Sequence, residues 1–210
     1  MPATWAEIAV VMFVGMGPIK VLVYYLDAIH DAPPALGRRV ALRAVLTAAV
    51  TAFGLLIAGA LLFRLLHFSE PALVVASGIV LVAYGIEVIL RAEPASHRHP
   101  PPTEETLLRR AVFPMGVPLI LNPAGVAAAT IFSGAATSPS DLGALALIVV
   151  AIAALDLVVL LVVRPIGPRL APEATLVLEQ LLGVLLVAVA VELVVIGLVG
   201  FGILDIPARH

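Results

Sequence analysis

The stretch MFVGMGPIKVLVYYLD (residues 12–27) places a Gly-Pro pair and a lysine inside a long apolar run. Proline lacks a backbone N–H and breaks a helix, and a charged side chain is costly in the hydrocarbon of a membrane. A membrane helix keeps such residues where the freed backbone groups are enclosed by protein or line a hydrated cavity. The stretch therefore predicts a broken membrane helix, with Gly17, Pro18 and Lys20 at a functional site.

The composition of the whole chain favours a membrane protein. Of the 210 residues, 62% are hydrophobic and 12% are charged, whereas soluble domains are about half apolar and about one quarter charged. The chain has no cysteine, which excludes disulfides and thiolate ligands. It carries no zinc-peptidase, nucleophile-elbow or P-loop signature and no basic tract. We therefore expect no enzyme activity, no metal, no cofactor and no nucleic-acid partner.

Six apolar runs are long enough to cross about 30 Å of hydrocarbon. They are residues 5–29, 41–63, 71–90, 112–136, 142–163 and 176–203. The proline-rich polar stretch 92–111 divides the chain into 1–91 and 112–210, and we expect it to be a cytoplasmic linker. With both termini outside, nine arginines face the cytoplasm and two the exterior, as the positive-inside rule requires.

The two halves carry a repeat at a constant offset of 105 residues. The segment SGIVLVAYGIEV (77–88) aligns without gaps with LGVLLVAVAVEL (182–193), and Gly17-Pro18 aligns with Asn122-Pro123. Because each half has an odd number of spans, the halves must be inverted relative to each other. The predicted fold is therefore an all-α integral membrane protein with six transmembrane helices in two inverted three-helix repeats.

Both proline pairs fall near the middle of the bilayer at about 1.5 Å per helical residue. The first and fourth helices are accordingly predicted to be broken there, and the freed backbone groups would form a central substrate site. The predicted substrate-binding residues are Gly17, Pro18, Lys20, Asn122, Pro123, Gly125 and Thr130. Two ordinary proline kinks that only shape the packing are the alternative.

Ionisable residues inside the spans are candidates for coupling or gating because such groups normally face a pathway or a partner. They are Lys20, Glu87, Asp156 and Glu192. Lys20 would either pair with Asp156 or Glu87, or hold a substrate carboxylate. Glu192 would either carry a proton or extend to the outer interface, and Glu87 lies four residues before Arg91 at the inner interface.

The motifs with these two proline pairs resemble the MarC family of bacterial inner-membrane proteins. The resemblance rests on Gly17-Pro18, on LILNPAGVAAATIFSGAA after the linker, on SGIVLVAYGIEVIL, and on LLGVLLVAVAVELVVIGL near the end. The family is similar to LysE-type exporters, and its members are described as transporters of glycine and alanine. Its usual motifs are Asn-Pro and Gly-Pro-Gly, so Gly17 and Asn122 depart from the pattern, as does Lys20.

We therefore expect a secondary transporter of small amino acids or related metabolites in the bacterial inner membrane, working by alternating access. Both termini would be periplasmic, the partners would be a small-molecule substrate and the lipid bilayer, and a homodimer is compatible with this plan. Coupling to a proton or a sodium gradient is left open. The alternatives are a passive ion or solute channel, and a structural or regulatory membrane protein that transports nothing.

Overall fold

The protein is mostly helical in the part of the chain that the computed structural model describes, which is residues 4–66, 69–90, 103–165 and 172–204. Eight α-helices follow one another in these ranges. They are α1 (Trp5–Met16), α2 (Ile19–Ala28), α3 (Pro34–Leu66), α4 (Glu70–Leu90), α5 (Glu104–Arg110), α6 (Pro123–Ala135), α7 (Pro139–Val163) and α8 (Pro172–Gly200). The prediction of an all-α chain is thus confirmed for the described residues.

Three of the helices are long and apolar enough to cross a membrane in the described ranges. They contain Pro34–Gly59, Pro139–Val163 and Gly183–Gly200. A bent pair, Glu104–Ile120 followed by Pro123–Ala135 at an angle of 65°, adds a fourth crossing if it is counted as one span. Trp5–Met16 and Glu70–Ala83 are apolar but shorter.

Capping residues fix where the helices begin. Thr4 and Glu7 form a capping box at α1, with the Thr4 N–H donating to Glu7 Oε2 at 2.7 Å. Ser138 and Asp141 form the same motif at α7, where Pro139 occupies the first helical position. Such caps satisfy N–H groups that have no partner inside the helix. Proline also opens α3 at Pro34, which lies 105 residues before Pro139, so α3 and α7 begin at equivalent positions of the sequence repeat.

The main core is built from α1, α2, α3, α6 and α7. On α3 the buried face consists largely of alanines, with Ala41, Ala44, Ala48 and Ala52 all fully buried. Small residues at this spacing allow neighbouring helices to approach closely in a membrane. The helices α4 and α8 pack mainly on each other and enclose a second, smaller cluster around Leu81.

The segment Ala111–Ile120, between α5 and α6, is wound irregularly. Phe113 and Val117 have extended backbone angles, and each precedes a proline, Pro114 or Pro118. The ring of a proline disfavours the α conformation in the residue before it, so the irregularity follows from these two prolines. The apolar run 112–136 is therefore a bent, partly irregular path rather than a simple helix.

The structure describes only the later part of the predicted linker 92–111. Residues 91–102 lie outside the described residues, whereas its later part forms the short helix α5. On α5, Leu107 is buried against the core, and Arg109 and Arg110 are exposed.

Candidate functional site

The first break separates α1 from α2 at Gly17-Pro18. Gly17 is extended, with φ −82° and ψ 166°, and α2 begins directly after Pro18. Proline has no N–H, so it cannot donate to the carbonyl four residues earlier, which here belongs to Val14. The sequence thus dictates a break at which the last carbonyls of α1 need other donors.

The second break lies at Asn122, where the irregular segment meets α6. Asn122 is extended, with φ −83° and ψ 170°, and Pro123 takes the first helical position. The side-chain oxygen of Asn122 accepts the N–H of Gly125 at 3.0 Å. Asparagine before proline is a strong signal for the start of a helix. The asparagine side chain caps an N–H that has no partner within the helix, and at the first helical position the N–H that proline lacks would have had no helical partner.

The two breaks are bonded to each other, and we call this contact the clasp: Asn122 with Val14 and Gly15. The backbone N–H of Asn122 donates to the Gly15 carbonyl at 3.0 Å. The side-chain amide of Asn122 donates to the Val14 carbonyl at 3.1 Å. That carbonyl is the one that Pro18 deprives of its helical donor. The clasp therefore satisfies backbone groups that would otherwise cost several kcal/mol each in hydrocarbon.

Two glycines allow the breaks to approach this closely. A Cβ added to Gly15 would overlap the backbone of Gly125, and a Cβ added to Gly125 would overlap the Gly15 carbonyl. Asn122 is fully buried, and Gly17 and Pro18 are buried as well. The structure thus brings together Gly17, Pro18, Asn122, Pro123 and Gly125, five of the residues predicted to bind substrate.

Thr130 lies two turns further along α6, against α3. Its hydroxyl donates to the Val126 carbonyl of its own helix at 2.7 Å, and a Cβ added to Gly59 would lie 3.1 Å from the Thr130 Cα. Nearby, the Ser133 hydroxyl donates to the Leu56 carbonyl of α3 at 2.5 Å. In this conformation Thr130 therefore packs α6 on α3, and its hydroxyl proton is engaged.

Asp156 is the charged residue that stands out in the core. It is fully buried on the inner face of α7, with Ile152 and Leu160 one turn to either side. Neither carboxylate oxygen has a hydrogen-bond partner among the residues that the structure describes. A buried ionised carboxylate without a partner is strongly unfavourable, so this position is suited to hold a proton or a cation.

The other predicted coupling residues lie elsewhere or outside the description. Glu192 is on α8 with its side chain exposed at the surface of the bundle. The side chains of Lys20 and Glu87 fall outside the described residues, so their pairing with Asp156 stays a prediction. No three His, Asp or Glu side chains gather as a metal site within the described ranges.

Sequence reasoning missed two features of the site. It did not single out Gly15, although a second glycine two residues before Gly17 signals close approach. It also counted Arg164 only as one of the nine cytoplasmic arginines. The Nε of Arg164 is buried beside Gly37, which accepts a hydrogen bond from the buried Tyr25 hydroxyl at 3.1 Å.

Comparison with known proteins gives a family over nearly the whole chain. The profile described as MarC family integral membrane protein matches residues 3–201. A UPF0056 membrane protein of Pyrococcus abyssi is 23% identical over 201 residues, which cover 95% of this chain and 97% of that protein. No solved structure matches the chain significantly. The resemblance inferred from the proline motifs is thus confirmed.

The clasp predicts a specific loss of stability in Asn122→Ala. This variant loses the cap on Gly125 and the bond to Val14, so we expect the free energy of unfolding to fall by about 2–3 kcal/mol. Ser138→Ala is the matched control, because it removes a helix cap on α7 without a bond between the two breaks. It should lose about 1 kcal/mol. Unfolding of both purified variants in the same detergent measures the difference, and equal losses would contradict the clasp.

Proposed function

Since the chain belongs to the MarC family of integral membrane proteins, we propose that it is a secondary transporter of small amino acids or related metabolites. The observation that carries this proposal is the clasp, in which two broken helices from different halves of the chain are hydrogen-bonded to each other at their breaks. Broken helices that meet in this way are typical of the central sites of transporters with inverted repeats. We propose that alternating access opens and closes this contact.

The six-span inverted plan is supported by the local geometry of the breaks. Gly17 and Asn122, which are 105 residues apart, have backbone angles that agree within a few degrees, at φ −82° and ψ 166° against φ −83° and ψ 170°. Each is followed by a proline and a new helix. On this plan α1 with α2 forms the first span, and the bent path ending in α6 forms the fourth.

The packing of the helices also supports the plan. At the offset of 105 residues, α2 corresponds to α6 and α3 corresponds to α7. The contact of α3 with α6 therefore corresponds to that of α7 with α2, and both contacts occur. In the same way, the contact of α4 with α6 corresponds to that of α8 with α2. The contact of α1 with α6 corresponds to that of the segment Ala111–Ile120 with α2, and all four contacts occur. Packing partners that survive an exchange of the two halves are what a two-fold relation between the halves requires.

One pair of side-chain contacts follows the same rule. Thr130 lies against Gly59, and their equivalents at the offset of 105 are Tyr25 and Arg164. These two meet at Gly37, where the Tyr25 hydroxyl bonds to the carbonyl and Arg164 lies beside the Cα. The contact between equivalent positions of the two halves supports the proposed repeat, with small residues in one half and bulky polar residues in the other.

The groups in the clasp suit an amino acid. Separation of the breaks would open the bonds from the backbone N–H and the side-chain amide of Asn122 to the carbonyls of Gly15 and Val14. A helix amino terminus favours a carboxylate, and carbonyl oxygens accept hydrogen bonds from an ammonium group. The closed contact thus contains donors and acceptors that could bind both ends of a small zwitterion.

We propose Asp156 as the coupling residue. Its carboxylate is buried with no partner in the described part of the chain, and a proton or a sodium ion would remove the cost of that burial. Glu192, which is exposed on α8, is less suited to this role. The chain would then act as a carrier and not as an enzyme, in the bacterial inner membrane with both termini periplasmic, either alone or as a homodimer.

Transport in proteoliposomes tests the proposed function. We expect the purified chain to take up radiolabelled alanine and glycine faster when a proton or sodium gradient is imposed. Asp156→Asn should lower gradient-driven uptake to the rate without a gradient, because the side chain can no longer bind the ion. Glu192→Gln is the matched control and should retain coupling. The absence of uptake by folded protein would overturn the substrate class, and loss of coupling only in Glu192→Gln would overturn the role of Asp156.

The six-span plan predicts the sides of two loops. The chain contains no cysteine, so single cysteines can be introduced at the exposed residues Asp31 and Thr137. We expect an impermeant maleimide to label Thr137→Cys in intact spheroplasts, and Asp31→Cys only after permeabilisation. Ala44→Cys, at a fully buried position, controls for non-specific labelling. Labelling of both loops from the same side would contradict the plan.

A further inference from the structure

A groove of about 520 Å³ lies along α3 on the side next to α5, away from the residues of the clasp. Its lining includes Arg39, Leu42, Arg43, Leu46 and Val50 of α3, and Leu108 of α5. These positions on α3 are three or four residues apart, so they form one face of the helix. The groove is therefore a continuous feature with arginines at one end and aliphatic side chains along its length.

The length of the groove matches one leaflet of a membrane. Arg39 and Val50 are eleven residues apart, which is about 16 Å along a helix at about 1.5 Å per residue. Half of a hydrocarbon core of about 30 Å is about 15 Å. Because the arginines lie near the beginning of a helix that is apolar enough to span, they would sit at the interface and the aliphatic part would reach towards the bilayer centre.

The body of the groove presents an apolar surface, even at the positions where threonines line it. Leu42, Leu46 and Val50 are 46%, 52% and 68% exposed. Two threonines also line it, but the Thr47 hydroxyl donates to the Arg43 carbonyl and the Thr51 hydroxyl to the Thr47 carbonyl, both at 2.8 Å. With these protons engaged inside α3, the body of the groove suits an acyl chain better than a polar solute.

The interfacial end of the groove is positively charged. Arg39 is paired with Glu104 of α5, whereas the Arg43 side chain has no ion pair with any side chain that the structure describes. The lining thus contains two arginines, and Glu104 neutralises one of them. Arg38, which is exposed on α3, is not among the residues that line the groove. The excess of positive charge is complementary to an anionic headgroup.

We propose that this groove binds one anionic phospholipid of the leaflet at the amino-terminal end of α3. The headgroup phosphate lies against Arg43 and the outer edge of the Arg39–Glu104 pair, and one acyl chain runs along Leu42, Leu46 and Val50. Basic pockets beside membrane helices are known to select anionic lipids, chiefly through charge. The lipid occupies the outside of the α3–α5 contact and leaves the clasp free.

Native mass spectrometry of the full chain tests this site. The protein is purified in detergent with equal amounts of phosphatidylglycerol and phosphatidylcholine of the same acyl chains, and the retained lipids are counted. We expect one retained phosphatidylglycerol per chain, in preference to phosphatidylcholine. Arg43→Gln should weaken this binding about fivefold, the effect of removing one basic residue at an anionic surface. Arg38→Gln is the matched control and should leave it unchanged.

A second variant tests the apolar part without changing the charge. Val50→Trp fills the groove at an exposed position, so the fold should be kept and the lipid lost. Equal retention of the two lipids, or equal weakening by Arg38→Gln and Arg43→Gln, would overturn the proposal. Conversion of a dimer to a monomer by Val50→Trp, seen by light scattering, would also overturn it, because the groove would then be an interface between two copies of the chain.

Discussion

The structure depends on one constraint, which is that a broken helix inside a membrane must find hydrogen-bond partners for the backbone groups at its break. Pro18 leaves the Val14 carbonyl without its helical donor, and the side chain of Asn122 supplies that donor at 3.1 Å. The backbone of the second break supplies another, to Gly15. Each break thus completes the other, and the positions of α1 and α6 follow from this mutual requirement.

The same constraint connects stability with function. A clasp made of backbone donors and acceptors holds the halves together, and it also contains the groups that could bind a small zwitterion once the halves separate. Transport would then consist of replacing bonds between the breaks by bonds to the substrate. Such an exchange keeps the polar groups paired in both states, which limits the free-energy difference between them.

Much of the architecture could be predicted from the sequence, because proline and helix caps act locally. The breaks at Gly17-Pro18 and Asn122-Pro123 lie where they were predicted. The irregular segment was not predicted, although Pro114 and Pro118 were there to indicate it. The bond from Asn122 to Val14 joins residues 108 positions apart, and no local pattern specifies such a pair. Burial of Asp156 and exposure of Glu192 likewise depend on how helices pack, which their similar apolar surroundings in the sequence do not reveal.

Hydrogen–deuterium exchange at the clasp tests the central claim most directly. The amides of Asn122 and Gly125 are bonded across and within the break, and exchange requires these bonds to open. If the clasp is the substrate site, saturating alanine should change the exchange of peptides containing Asn122 and Gly125 in reconstituted protein, while peptides from the middle of α7 stay unchanged. Unchanged exchange at the clasp, in protein that demonstrably transports alanine, would contradict the account.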